Sequence, residues 1–246
     1  MIKKLVSALA VIGLIGGFFY FSAQRAGVNL DFMQLWPYRT RLLKGFLLTL
    51  QISVYSMILS LLLASIIVVF RRSRFLFFRQ FARTYVEFIR GTPLLVQIIF
   101  FFYIIGTAYS ISNRIVAGVI ILSIFESAYI SEILRGGLNS IESKQNEIAK
   151  SIGLTHVQTL KLIILPQLFI RVLPAIAGQF ASVIKDSSLL SMIALIEMAQ
   201  VTKEITANNF NTYFVSYITL ALLYLTLTFP VSMLSNYLER RNRYEH

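Results

Sequence analysis

Three ionisable residues stand where the neighbouring sequence is too apolar for ordinary surface charges: Glu126 in Phe125-Glu126-Ser127-Ala128, and the pair Lys185-Asp186 just before Ser187-Ser188. An unpaired charge in an apolar medium is costly, so such groups imply a polar ligand, a charged partner or a break in the chain. A carboxylate at 126 suits an ammonium group or a cationic side chain, while Lys185 or a helix N-terminus suits a carboxylate. Lys185 and Asp186 interrupt their apolar run, where a broken helix can present backbone groups to a cavity. A mutually neutralised pair near the membrane surface explains the same two residues. Gln51, Gln97 and Gln179 also lie in or near apolar runs. Amides donate and accept to a zwitterion without the cost of a charge, and interhelical hydrogen bonds use them equally well. These six residues are the candidate substrate-binding set.

Other chemistries have little to work with. Cysteine is absent and the histidines are His156 and His246 alone, which removes thiol nucleophiles and His-rich metal sites. No serine has a plausible base, so we expect no catalytic residue, no metal and no enzyme. The net charge of +12 comes from basic residues scattered between apolar runs, not from one stripe with aromatic interleaving, which argues against nucleic acid.

The elements that must position these groups are membrane spans. The 246 residues are 57% hydrophobic with a mean hydropathy of +0.71. A hydrocarbon core about 30 Å thick takes about 20 apolar residues per helix. Six all-α spans are predicted: about 5–22, 45–70, 92–108, 115–134, 167–190 and 212–238. The segment around Trp36 and Tyr38 reads as an interfacial approach to the second. A cytoplasmic N-terminus places 16 of the 23 Lys and Arg residues on the cytoplasmic side, among them Arg71, Arg72, Arg135 and Arg240. Both termini are therefore expected in the cytoplasm, with Arg39, Arg41 and Lys44 as a minor exception. The Ala23-Gln24-Arg25 flank makes a poor cleavage site, so the first span reads as a retained anchor.

Residues 136–166, between the fourth and fifth spans, are polar but patterned. Ser143 to Ile152 are good helix formers, Gly153 supplies a stop where positive φ costs nothing, and Thr155 can cap a second helix. That helix carries Val157, Leu160, Leu162 and Ile163 and is expected to end at Pro166. The product is a short helical elbow suited to docking in a groove on a partner. Glu87 and Arg90, three apart at the start of the third span, have the spacing of a helical ion pair. Gly91, Thr92 and Pro93 follow as a bend, and these five residues read as a gate or scaffold. The phenylalanine-rich stretches read as packing or lipid-facing aromatics.

Glu147-Ile148-Ala149, three residues, Gly153, nine residues, then Ile163-Ile164-Leu165-Pro166 resembles the EAA loop of bacterial ABC importer permeases, with isoleucine where the family usually has alanine. Tyr85 to Gln97, Ala128-Tyr129 with Glu132 to Gly137, and Lys185 to Leu189 are similar to the polar amino acid permeases of the histidine/glutamine type. The resemblance covers about Gly45 to Arg240. It implies a type I ABC importer fold: a five-helix core over 45–240, an added N-terminal anchor over 1–44 and a cytoplasmic tail over 241–246. It further implies a bacterial inner-membrane permease that pairs with an identical or homologous second chain. ABC ATPase subunits lie below the pair, and an extracytoplasmic binding protein delivers a polar amino acid. Glu147, Ala149, Gly153 and Pro166 are then ATPase-coupling residues. Glu126 departs from the family's usual neutral residue, which favours a cationic substrate or, next, a glutamine-like one. The chain has no G-x-x-x-x-G-K-[ST] phosphate loop, so ATP and Mg²⁺ belong to the partner. A secondary transporter or channel is the alternative, but it has no use for the elbow and no inverted repeat is evident.

Overall fold

The structure, a computed structural model, describes residues 2–25, 27, 30–141, 145, 148, 149 and 151–244. Helix α1 spans Ile2–Arg25, and a 3₁₀ segment at Phe32–Tyr38 leads into α2, Arg39–Arg71. The approach is held by two local contacts: Asp31 accepts from Met33 N at 3.0 Å, and the Arg39 guanidinium lies 4.6 Å from the exposed Trp36 ring. Helices α3 (Leu76–Gly91) and α4 (Leu94–Phe100, continued by a π turn to Gly106) follow, then α5, Arg114–Asn139. Asn113 caps α5 by accepting from Ile115 N and Val116 N. Helix α6 (His156–Thr159) runs through a π turn at Leu160–Ile164 into α7, Leu165–Asp186. A 3₁₀ segment at Ser187–Ile193, α8 (Met198–Asn208) and α9 (Tyr213–Tyr244) complete the chain.

Four stretches are long and apolar enough to cross a membrane: Phe32–Arg71, Arg114–Ile141, His156–Ile193 and Phe210–Arg241. The predicted third span corrects to something else. Leu76–Gly91 and Leu94–Gly106 together pass as one span, bent by 107°. The cause is local: Pro93 excludes Thr92 from the helical region and holds it extended at φ −121°, ψ 144°. The predicted first span lies in α1, where Leu9–Arg25 is a shorter apolar helix. Pro166 also corrects. It sits in the first turn of α7, where a missing N–H costs nothing, so it starts the long helix instead of ending the short one.

Small residues hold the bundle together. Gly45, Thr49, Ser53, Ser56, Ser60 and Ala64 form the buried stripe of α2 facing α5 and α8. Lipid tails give helices no hydrophobic reason to associate, so close backbone approach and interhelical hydrogen bonds must do so. Ser123 Oγ donates to Ser56 O at 3.2 Å across the α2–α5 contact. Gly118 and Gly137 on α5 lie directly under Leu190 and Val172. α7 packs in turn on α9, where Ser235 Oγ donates to Pro174 O at 2.8 Å.

Candidate functional site

Midway along α5, Glu126 is completely buried, and one carboxylate oxygen accepts from Gln179 Nε2 on α7 at 2.6 Å. Its other oxygen has no hydrogen-bond partner. The Asp186 carboxyl, at the last residue of α7, is the neighbouring acidic group. The chain changes from α to 3₁₀ immediately after Asp186, which places the break where Ser187 and Ser188 follow. A buried oxygen without a donor beside a second carboxyl is costly unless the two share a proton or a cation or donor comes to them. The arrangement can therefore bind an ammonium or guanidinium group.

Of the six residues singled out, the fold brings Glu126, Gln179 and Asp186 together. Lys185 is exposed on the neighbouring face of α7, and Gln51 is exposed on α2. Gln97 serves the α3–α4 bend: its Nε2 donates to Ile89 O at 2.8 Å, to Thr92 O at 3.2 Å and to Thr92 Oγ1 at 2.7 Å. Glu87 does not pair with Arg90. It pairs with Arg83 one turn earlier at 2.8 Å, while Arg90 stacks 5.2 Å from the Tyr129 ring. Gly91, Thr92 and Pro93 form the bend itself.

The end of the bundle away from the 136–166 loop holds a cluster that sequence reasoning missed. Glu197 precedes α8 and accepts from Ala199 N and Gln200 N, both at 2.8 Å, and Tyr224 Oη on α9 donates to it at 2.8 Å. Met198 N reaches Thr49 Oγ1 on α2 at 3.3 Å, so one turn ties α2, α8 and α9. An acidic residue just before a run of helix formers was the available signal. Burial pushes the Glu197 carboxyl up from 4.5 to about 7, against the pull of the two amides and Tyr224. A group that binds its proton more tightly when folded stabilises the fold fully below pH 4.5, and that contribution is lost as pH rises through about 7. The melting temperature of the purified permease should therefore fall between pH 5 and 8, and Glu197→Gln should remove that component. An equal fall in both proteins would refute the assignment.

At the loop end, Glu132 on α5 bridges Arg71 of α2 and Arg135 of its own helix, the latter at 2.6 Å. In the loop, Ala149 is fully buried and Gly153 has φ +81°, with Leu154 N returning to Ala149 O at 3.0 Å. Positive φ is where glycine is needed. Thr155 and Gln158 make the capping box that opens α6. The elbow is thus a stop and a start around one glycine. Glu147 lies outside the described residues.

Compared with protein families, residues 56–244 match the family described as "Binding-protein-dependent transport system inner membrane component". The chain belongs to that permease family. Among relatives of this permease, the L-cystine transport system permease protein TcyB of Bacillus subtilis is 36% identical over 206 residues, covering 84% of this chain and 87% of its own. The probable glutamine ABC transporter permease protein GlnP of the same organism is 38% identical over 200 residues, with coverage of 80% and 91%. A solved structure described as an amino acid ABC transporter with histidines superposes with a TM-score of 0.79 at 31% identity. It covers 87% of this permease and 100% of its own chain. The inward-facing MetNI methionine transporter, at 15% identity and a TM-score of 0.65, shares the fold. The permease is accordingly a multi-pass inner-membrane protein with the type I importer permease fold.

Proposed function

We propose that this permease is the membrane subunit of an ATP-binding-cassette importer for a polar amino acid, carried between α5 and α7 and driven by a separate ATPase. What supports the reading is Glu126: a buried carboxylate with an unpartnered oxygen, held by Gln179 beside Asp186 at the centre of the bundle, in a family whose relatives include amino-acid permeases. The carboxylates receive the α-ammonium or a cationic side chain, which favours a cationic amino acid, with glutamine next. Lys185, Gln51 and Gln97 stand outside that first contact.

Both termini lie in the cytoplasm of a bacterial cell in this reading, which puts the elbow and most basic residues inside. The first helix is a retained anchor. A second permease chain, identical or homologous, completes the pathway, and a binding protein delivers substrate from outside. The ATPase subunits hold ATP and Mg²⁺ and grip the elbow at Glu147, Ala149 and Gly153, with Pro166 starting the span that carries the movement onward as a rigid body. Glu87, Arg90, Gly91, Thr92 and Pro93 form a gate scaffold around the bend.

The test is ATP hydrolysis by the reconstituted importer, stimulated by its binding protein loaded with each amino acid in turn. Glu126→Gln is expected to lower the preference for a cationic over a neutral substrate about tenfold, the effect of about 1.4 kcal/mol. An unchanged profile would leave Glu126 a structural role only.

A further inference from the structure

Helix α3 has three faces. Ala82, Val86 and Ile89 are buried against the bundle, and Phe77, Phe81 and Phe88 form an exposed apolar strip. Between these lies a third strip, Arg79, Arg83, Glu87 and Arg90, all exposed. The apolar strip is what a lipid-facing helix requires, but the polar one is tolerated at membrane level only against water, protein or headgroups.

Arg79, Arg83 and Glu87 of the polar strip wall a cavity of about 870 Å³ at the loop end of the bundle. Its other walls are the ends of α2 and α5, through Arg71 and Arg135, and His156 at the start of α6. Arg72 also reaches it and donates to Asn139. Setting Arg72 aside, four guanidinium groups, those of Arg71, Arg79, Arg83 and Arg135, meet two carboxylates. Glu132 is shared by Arg71 and Arg135, and Glu87 is taken by Arg83. Among the described residues two positive charges remain over, and Arg79 has no ion-pair partner. Planar, many-donor guanidinium groups suit the oxygens of a phosphate.

We propose that this cavity is a specific site for the phosphate headgroup of an anionic phospholipid, whose acyl chains lie along the exposed phenylalanines of α3. Its height supports a lipid: Arg71 ends α2 and Asn139 ends α5, so the cavity lies where two spans leave the hydrocarbon. Phe75 and Phe77, 71% and 74% exposed, stand beside the same end of α3 and offer the apolar companion surface that a free anion would not need. Basic pockets between spans are a known way for membrane proteins to hold anionic headgroups. The site requires the membrane fold but neither the coupling role of the elbow nor the substrate role of Glu126.

The test uses the full permease in the complex in which it purifies, exchanged into nanodiscs of phosphatidylcholine with or without phosphatidylglycerol, and then extracted for native mass spectrometry. One phosphatidylglycerol per permease chain should be retained, and Arg79→Gln with Arg83→Gln should reduce retention about tenfold. Arg114→Gln, a charge removed at the far end of α5, should retain lipid as the parent does. The site is refuted if the double variant keeps its lipid, if Arg114→Gln loses as much, or if inorganic phosphate displaces the lipid, which would make the ligand a free anion. It is equally refuted if the double variant sheds other subunits in phosphatidylcholine alone, because the arginines then serve a protein contact. Retention is read without ATP or amino acid, so its failure and a failure of the transport reading are separate results.

Discussion

Glu147→Arg is expected to reduce ATP-driven uptake by about a hundredfold or more while leaving insertion and yield in the membrane unchanged. Reversing a charge at a protein–protein contact costs about 2 to 5 kcal/mol, and each 1.4 kcal/mol is about a factor of ten. The residue occupies the acidic position of a loop whose neighbours have the features a docking knob needs. Ala149 is buried, Gly153 turns the chain at φ +81°, and Thr155 restarts the helix. Uptake into proteoliposomes, with binding of the ATPase subunit measured in parallel, separates lost docking from lost folding. Normal uptake would remove the elbow from the coupling path.

The second large effect is expected at Gly137. A Cβ there would stand 2.4 Å from Val172 Cγ1 and 2.8 Å from Leu168 Cδ1, closer than neighbouring carbon atoms ever approach. Gly137→Val must displace the Val172 and Leu168 side chains of α7 from this contact, and overpacking of this kind costs about 1 to 3 kcal/mol. Gly136 is the internal control, because nothing lies within 4 Å of a Cβ at that position. Gly136→Ala should melt as the parent does, whereas Gly137→Val should melt lower and give less folded protein. Equal melting of both variants would mean that α5 and α7 do not cross at this glycine.

Several of these features were legible in the sequence, for local reasons. Gly153 and Thr155 act on their own few residues, so their types foretold the stop and the cap. The long apolar runs before Arg71 and Arg240 foretold α2 and α9. The fifth span's interruption at Lys185-Asp186 foretold the change to 3₁₀ at Ser187. What stayed hidden depends on residues far apart in the chain. Glu132 and Arg71 are 61 positions apart, and Glu197 and Tyr224 are 27 apart, so neither pairing has a signature in spacing. Glu126 stood out as a charge in an apolar run, but Gln179 as its donor did not stand out among the amides. One error lies in a proline. Pro166 opens its span where it was expected to close the short helix, whereas Pro93 makes the bend its ring chemistry foretold.

The Gln97 side chain has a mechanical consequence. Its amide satisfies the carbonyls that the 107° corner exposes at Ile89 and Thr92, using groups of the same chain. Without that amide the Ile89 carbonyl would face Pro93, which has no N–H to offer it, a heavy penalty with no solvent to relieve it. The segment before the corner and the segment after it must consequently turn together, as a bracket does, so that a tilt given to one arm reaches the other undiminished.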